Sequence, residues 1–342
     1  MARIYAWYEQ SIIDRPPVRF HHHNMQYERH RTVKGPWINV EERWLDVEFQ
    51  VRTFLSLVAS TEFRGETFPV FWPNLSALAY NLCLGQEAVF DDMTAWVRPC
   101  VDDLHNLPDL CVRREGRYFK TVEALTRRAL DCADGRFMVG YTDMYTGVDC
   151  AAALRGAEAL CLDLLIAPGQ VHTLMDRTLS EYADVYGYFD NMLKRHDQPS
   201  ATWINLPSFE TFNVLGCDFA VNISKDHFDE FCMPILRKEA ALFVHNVFHV
   251  DGPGVAKNID SILTLPNLIA IQWAQGHGEN RQILQWVPLI RKIQEAGKSV
   301  IVDLQPHELD AFCGQVDPVG VMLWVSAEPA DQPDILARVA GW

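Results

Sequence analysis

The sequence predicts an α/β protein and, within that class, a (β/α)8 barrel spanning residues 1–342 as a single domain. Three observations carry this expectation. Eight short segments have strand character, helical patterns separate most of them, and the strands are apolar throughout rather than alternately apolar and polar. Uniformly apolar strands belong to a parallel sheet covered on both faces, and eight strand–helix units close most simply into a barrel. An open doubly wound sheet is the alternative, but no G-x-G-x-x-G follows the first strand.

In chain order the strands are "PPVRFHH", "TFPVFWPN", "RFMVGYTD", "ATWINL", "ALFVHNVFHVDG", "NLIAIQWAQG", "SVIVDLQP" and "GVMLWVSAEP", each ended by polar or Gly/Pro residues. A helical N-terminal elaboration, "VEERWLDVEFQVRTFLSLVAS", precedes the second. Before the seventh, Ile283, Trp286, Val287, Ile290 and Ile293 recur at helical spacing on one face. Gly297 then stands where a helix C-terminal glycine belongs. Pro266 separates helix from strand in "GVAKNIDSILTLPNLIAIQW".

The 49% hydrophobic content supports a large core, and no low-complexity or charge-block segment suggests disorder. Forty-five acidic against 30 basic residues give a formal net charge of -15. That argues against nucleic-acid or anionic-membrane binding, which need a basic face, although a local basic pocket remains compatible with an anionic substrate. The nine cysteines are scattered without a C-x-x-C pair and read as reduced core residues. "MARIYAWYEQSIIDRPP" lacks a signal-peptide pattern. No run approaches the ~20 apolar residues of a membrane span, so a cytoplasmic protein is expected.

A parallel barrel carries its site at the C-terminal strand ends. The candidates there are Trp72 and Asn74; Tyr141, Asp143 and Tyr145; Trp203 and Asn205; His249 and Asp251; Gln272, Trp273 and His277; Asp303 and Gln305; Ser326 and Glu328. Aromatic walls with convergent polar groups suit a small-molecule pocket. Plainer roles compete: Asp143 and Asp251 as helix caps, Asp303 as a partner of loop amides, Trp72 and Trp273 as core packing. His21 and His23 share a strand face. The pair His249 and Asp251 is the strongest signal, because a His-x-Asp at a strand end projects both side chains to one side. They suit two ligands of one metal or an acid–base couple.

The succession "DMYTGVDCAAALRGAEALCLDLL", "GCDFAVNISKDHFDEFCMPIL" and "HVDGPGVAKNIDSILTLPNLIAIQW" resembles the uroporphyrinogen decarboxylase superfamily. It looks closest to uroporphyrinogen-decarboxylase-like proteins related to zinc-dependent methyltransferases, which move methyl groups between corrinoids and thiols. The resemblance runs from about Asp14 to the C-terminus and implies the same barrel. Two departures weigh against tetrapyrrole decarboxylation. "RPPVRFHHHNMQYERHR" lacks that family's "RQAGRY"-like loop, and Asn74 stands where the decarboxylases place an essential aspartate. The methyltransferase branch carries His-x-Cys-Gly and a later cysteine; here the chain reads His249-Val250-Asp251-Gly252, and the last strand ends in "VSAEP".

The resemblance therefore implies a harder ligand set of His249, Asp251 and Glu328 for zinc, manganese or iron. Asp218 falls where relatives keep an acidic residue facing the pocket, and Cys217 beside it alternates away. The expected function is methyl transfer on a small polar or anionic molecule, metal-assisted and linked to a corrinoid on a partner protein. Trp72, Asn74, Tyr141, Tyr145, Trp203, Gln272, Trp273 and Asp303 would bind substrate. A metal-independent decarboxylase or lyase, with Asp143, Asp218, His249 and Asp251 as catalytic groups, is the alternative enzyme. A non-catalytic partner of a corrinoid protein is the third reading. A homodimer is expected.

Overall fold

The computed structural model describes residues 1–20, 35–276 and 281–342. His21, His23 and His277 lie outside the described residues. The strands in chain order are β1 (Val18–Phe20), β2 (Val70–Phe71), β3 (Ala88–Phe90), β4 (Ala95–Val97), β5 (Met138–Val139), β6 (Phe212–Leu215), β7 (His245–Asp251), β8 (Leu268–Ala274), β9 (Ser299–Leu304) and β10 (Val321–Val325).

Six strands form one parallel sheet in the order β1-β10-β9-β8-β7-β6, and β2 and β5 form a second parallel pair. Backbone contacts carry the wall across the remaining gaps. Glu66 N–H donates to Val18 O at 2.7 Å on the approach to β2, and Tyr141 N–H beyond β5 donates to Ala201 O at 2.8 Å. The eight barrel strands are β1, β2 and β5 to β10; β3 and β4 are a separate antiparallel hairpin.

The fourth barrel strand is Phe212–Leu215, not the apolar run Ala201–Leu206. That run turns back on itself. Asn205 adopts a left-handed φ of 55°, its N–H bonds Thr202 O at 2.9 Å, and Ser200 and Ser208 exchange backbone hydrogen bonds at 2.7 and 2.8 Å. The four-residue strand "FNVL" that replaces it carries little periodic signal of its own.

Side-chain alternation divides the buried residues between two cores. Phe212, Val214, Val247, Ala270, Ile301, Met322 and Trp324 fill the barrel interior. Their strand neighbours Leu215, Phe248, Val250, Ile271, Trp273, Val300, Val302 and Leu323 face the helices. Full burial of side chains of this size is worth about 1.5–3 kcal/mol each. The N-terminal helix Ala2–Tyr8 closes the interior from below with Ile4, Trp7 and Tyr8. The Trp7 indole donates to Gly320 O at 2.8 Å, and Ser299 Oγ donates to Trp7 O at 2.6 Å. With the N-terminal strand ends plugged, the opposite end is the open one.

The expected N-terminal elaboration is present as helices Val40–Leu45 and Val47–Ser60. Asn39 and Asp46 cap them by accepting from Glu42 and Phe49 N–H, each at 2.9 Å. The amphipathic segment before β9 forms a 3-10 turn, Ile283–Trp286, and the helix Val287–Glu295, with Ile283, Val287, Ile290 and Ile293 buried. Gly297 follows at φ 69°, the left-handed position that favours glycine. Among the described residues no helix is long and apolar enough to cross a membrane.

Candidate active site

β7 shares the interior-facing register of Val247 with His249 and Asp251, and brings both to the mouth. Cross-strand pairing sets Gln272 beside His249, and Gln272 Oε1 hydrogen-bonds His249 Nδ1. An amide oxygen only accepts, so His249 Nδ1 is the donor in this pair. Asp251 immediately precedes the short helix Gly252–Ala256, yet its side chain makes no capping hydrogen bond. The cap reading therefore fails for Asp251, and the carboxylate is left to the mouth. Gly252 takes φ 74° at this corner.

The third member comes from the turn Asp218–Asn222 that follows β6. One ligating atom from each of Asp218, His249 and Asp251 lies within 4.8 Å of the others. Desolvation raises the Asp218 carboxyl pKa; His249 opposes this and the nearby Asp251 adds to it. Behind Asp218 stands Asp149, whose carboxylate accepts the N–H groups of Asp218 and Phe219 at 2.9 and 2.8 Å. Burial, with a further push from Asp218, takes Asp149 up to about 6.

Trp203 stands edge-on to His249, ring centroids 5.2 Å apart at 87°. It also walls a small polar cavity of about 20 Å³, with Asp143, Tyr145, Thr142, Thr202 and Tyr182 among its lining. Burial holds the Asp143 carboxyl pKa well above its usual range, with a smaller opposing pull from the Trp72 indole. Burial likewise raises the Tyr145 phenol, assisted by Asp143 and Asp218. Asp143 is no helix cap, since Thr146 precedes the helix Gly147–Arg155. A second cleft of about 200 Å³ opens on the other side of Asp251, lined by Asp303, Arg281, Gln275, Gln305, Glu308 and Ser326.

Several predicted site residues are placed elsewhere. Trp273 faces outward, fully buried, and packs on Trp286 at 4.7 Å, because it is one residue out of phase with Gln272. Tyr141, by contrast, lines the same cavity as Asp143 and Tyr145, while its hydroxyl meets Tyr186 at 2.8 Å and donates to Asp190 at 2.6 Å. Gln272 is buried and hydrogen-bonds the His249 ring. Asn74 accepts Ser76 N–H at 2.6 Å, which organises the loop after β2. Glu328 is exposed beyond β10 and is not in the metal-type cluster, where Asp218 takes the third place.

Sequence reasoning missed Asp149, Thr142, Thr202 and Arg19. Asp149 was findable as an acid in the first turn of the helix after β5. Arg19 lies among barrel-interior residues on β1, its guanidinium 4.3 Å over the Trp324 ring and donating to Ile204 O at 2.6 Å. Desolvation lowers it to about 10, partly offset by Asp303.

No protein-family model matches the sequence, and no curated protein does. Among solved structures, a methyltransferase from Methanosarcina mazei superposes at a TM-score of 0.65, over 99% of this chain and 97% of that one, with 12% sequence identity. At that identity the likeness is one of fold, and it ties this chain's (β/α)8 barrel to that of a methyltransferase.

Proposed function

We propose that the protein is an enzyme of the uroporphyrinogen decarboxylase superfamily that transfers a methyl group at the barrel mouth. The convergence of Asp218, His249 and Asp251 is the observation that carries this reading. One imidazole and two carboxylates fit a divalent cation such as zinc, manganese or iron. A cation held there would supply Lewis acidity, favouring the thiolate form of an acceptor.

The chain's own residues do the rest. Gln272 holds the His249 ring. The Trp203 edge covers one side of that ring and restricts water. Asp143, whose carboxyl pKa burial raises, is placed beside Trp203 to hydrogen-bond substrate. In the transfer, the acceptor thiol gives its proton to the mouth carboxylates and its sulfur bonds to the methyl carbon. The bond from that carbon to the donor breaks, and the donor leaves with the electron pair. With methylcobalamin as donor, the product is cob(I)alamin.

Mixing the protein with methylcobalamin and a small thiol tests this directly. The cobalamin spectrum shifts at a rate set by the enzyme, and His249→Ala lowers that rate by about a hundredfold or more. A spectrum unchanged across small thiols, alongside carbon dioxide released from a carboxylated substrate, would replace this function with the lyase reading.

A further inference from the structure

Asp218 reaches the barrel mouth on a short segment. The turn Asp218–Asn222 is a 3-10 turn of five residues, a geometry with poorer hydrogen bonds than an α-helix. The backbone bonds at its two ends are long, Ala220 N–H to Cys217 O at 3.2 Å and Ile223 N–H to Ala220 O at 3.5 Å. Bonds that reach it from other elements are shorter. The Asp149 carboxylate accepts the N–H groups of Asp218 and Phe219 at 2.9 and 2.8 Å, and Lys257 Nζ donates to Ile223 O at 2.7 Å. Asp149 lies in the first turn of the helix Gly147–Arg155. Lys257 closes the helix Gly252–Ala256, which begins directly after Asp251. The turn is therefore gripped at its start from the β5 side and at its finish from the β7 side.

A third contact is steric. Gly254, in the helix after Asp251, passes so close to the turn that a Cβ placed on it would lie 2.8 Å from Val221 Cγ1. Carbon atoms repel one another well outside that distance. Gly254 has no positive φ, so the missing Cβ serves the close approach and not an unusual backbone conformation. The segments that carry Asp218 and Asp251 thus rest directly on each other. Phe219 and Ala220 are buried beneath the turn, which leaves Asp218 on its exposed side.

We infer that Asp149, Gly254 and Lys257 are positioning residues, which fix this turn so that Asp218 is held at ligating distance from His249 and Asp251 by the fold itself. This rests on the cluster being a divalent-cation site. Ligands set in place beforehand lose less freedom when an ion binds, so part of the affinity is decided by three residues that do not touch the ion.

The test is a titration of the full chain, freed of metal, with cobalt(II), whose visible absorption reports its coordination and needs no turnover. Thermal unfolding confirms that each variant is folded. Gly254→Ala changes no charge and should bind the ion about tenfold more weakly. Adding Val221→Ala should restore most of that loss, since it removes Cγ1 and leaves the Val221 Cβ 3.2 Å from the new methyl. Asp149→Asn sets an amide N–H against one of the two backbone donors and should weaken binding about tenfold or more. Lys257→Met separates placement from charge. Removing a cation would tighten binding by electrostatics alone, whereas losing the clamp weakens it, by about threefold. Unchanged binding in Gly254→Ala or Asp149→Asn, a loss that Val221→Ala does not restore, or tighter binding in Lys257→Met would overturn the inference. Wild-type protein that binds no ion would retire the metal site and this inference with it. Binding abolished by His249→Ala but indifferent to Gly254→Ala and Asp149→Asn would keep the metal site and overturn the positioning alone.

Discussion

The two halves of the barrel are built differently. From β6 round to β1 the ladder is continuous, with β7 and β8 seven residues long. On the other side β2 and β5 have two residues each, and the wall is completed by single hydrogen bonds from loops. The continuous half delivers His249, Gln272 and Asp251 in fixed register. The interrupted half supplies Asp143, Thr142, Thr202 and Trp203 from segments released from the ladder, and the small polar cavity forms there. Regular pairing fixes side chains in register; broken pairing leaves buried hydroxyls without partners.

Substitutions in each half can break or sharpen that contrast. The largest effect is expected for Phe212→Ala on β6, where a fully buried ring fills the interior. Chemical denaturation should show a loss of about 3–5 kcal/mol. A loss below about 1 kcal/mol would mean that the continuous half is not the stability core.

Glu239 ties the halves together. From the helix Met233–Ala240 it accepts Thr146 Oγ1 at 2.6 Å on the β5 side and Asn213 Nδ2 at 3.0 Å on β6. Burial pushes it up to about 7 from 4.5. Below the lower value both states hold the proton and the contribution is at its best. As pH rises through the window the unfolded chain ionises first, so stability falls until the folded-state pKa is passed. Denaturation midpoints across that window should decline in the wild type relative to Glu239→Gln, by on the order of 3 kcal/mol in total. Parallel curves for the two proteins would remove Glu239 from this role.

Gln272→Leu probes the hydrogen bond to the His249 ring. It should lower divalent-metal affinity about 10–100-fold with little change in unfolding. The smallest effect belongs to the interrupted half: Thr202→Val removes an unpaired buried hydroxyl and should stabilise by about 1 kcal/mol. Destabilisation would show that the hydroxyl has a partner within the fold.

The same contrast governs what the sequence disclosed. β7 to β10 were legible because long apolar runs with clear ends mark buried parallel strands, and they carried His249, Asp251 and Asp303 with them. β6 was missed because four residues carry almost no period, and Ala201–Leu206 imitated a strand until Asn205 turned it. Trp273 was misplaced by a single step of alternation, which spacing can reveal only when the register is known. Asp218 was singled out from the resemblance, but its convergence with His249 and Asp251 depends on a turn geometry that no local pattern encodes. Thr142 and Thr202 became visible only as buried hydroxyls without partners.

The most direct test of the account is a calorimetric titration of metal-free protein with zinc and with manganese. Comparing Asp218→Asn, His249→Ala and Glu328→Gln with the wild type assigns the ligands. The account predicts one divalent ion per chain, bound about tenfold or more weakly when Asp218 or His249 is changed and unaltered by Glu328→Gln. Metal binding that survives Asp218→Asn and His249→Ala, or that fails in Glu328→Gln, would contradict it.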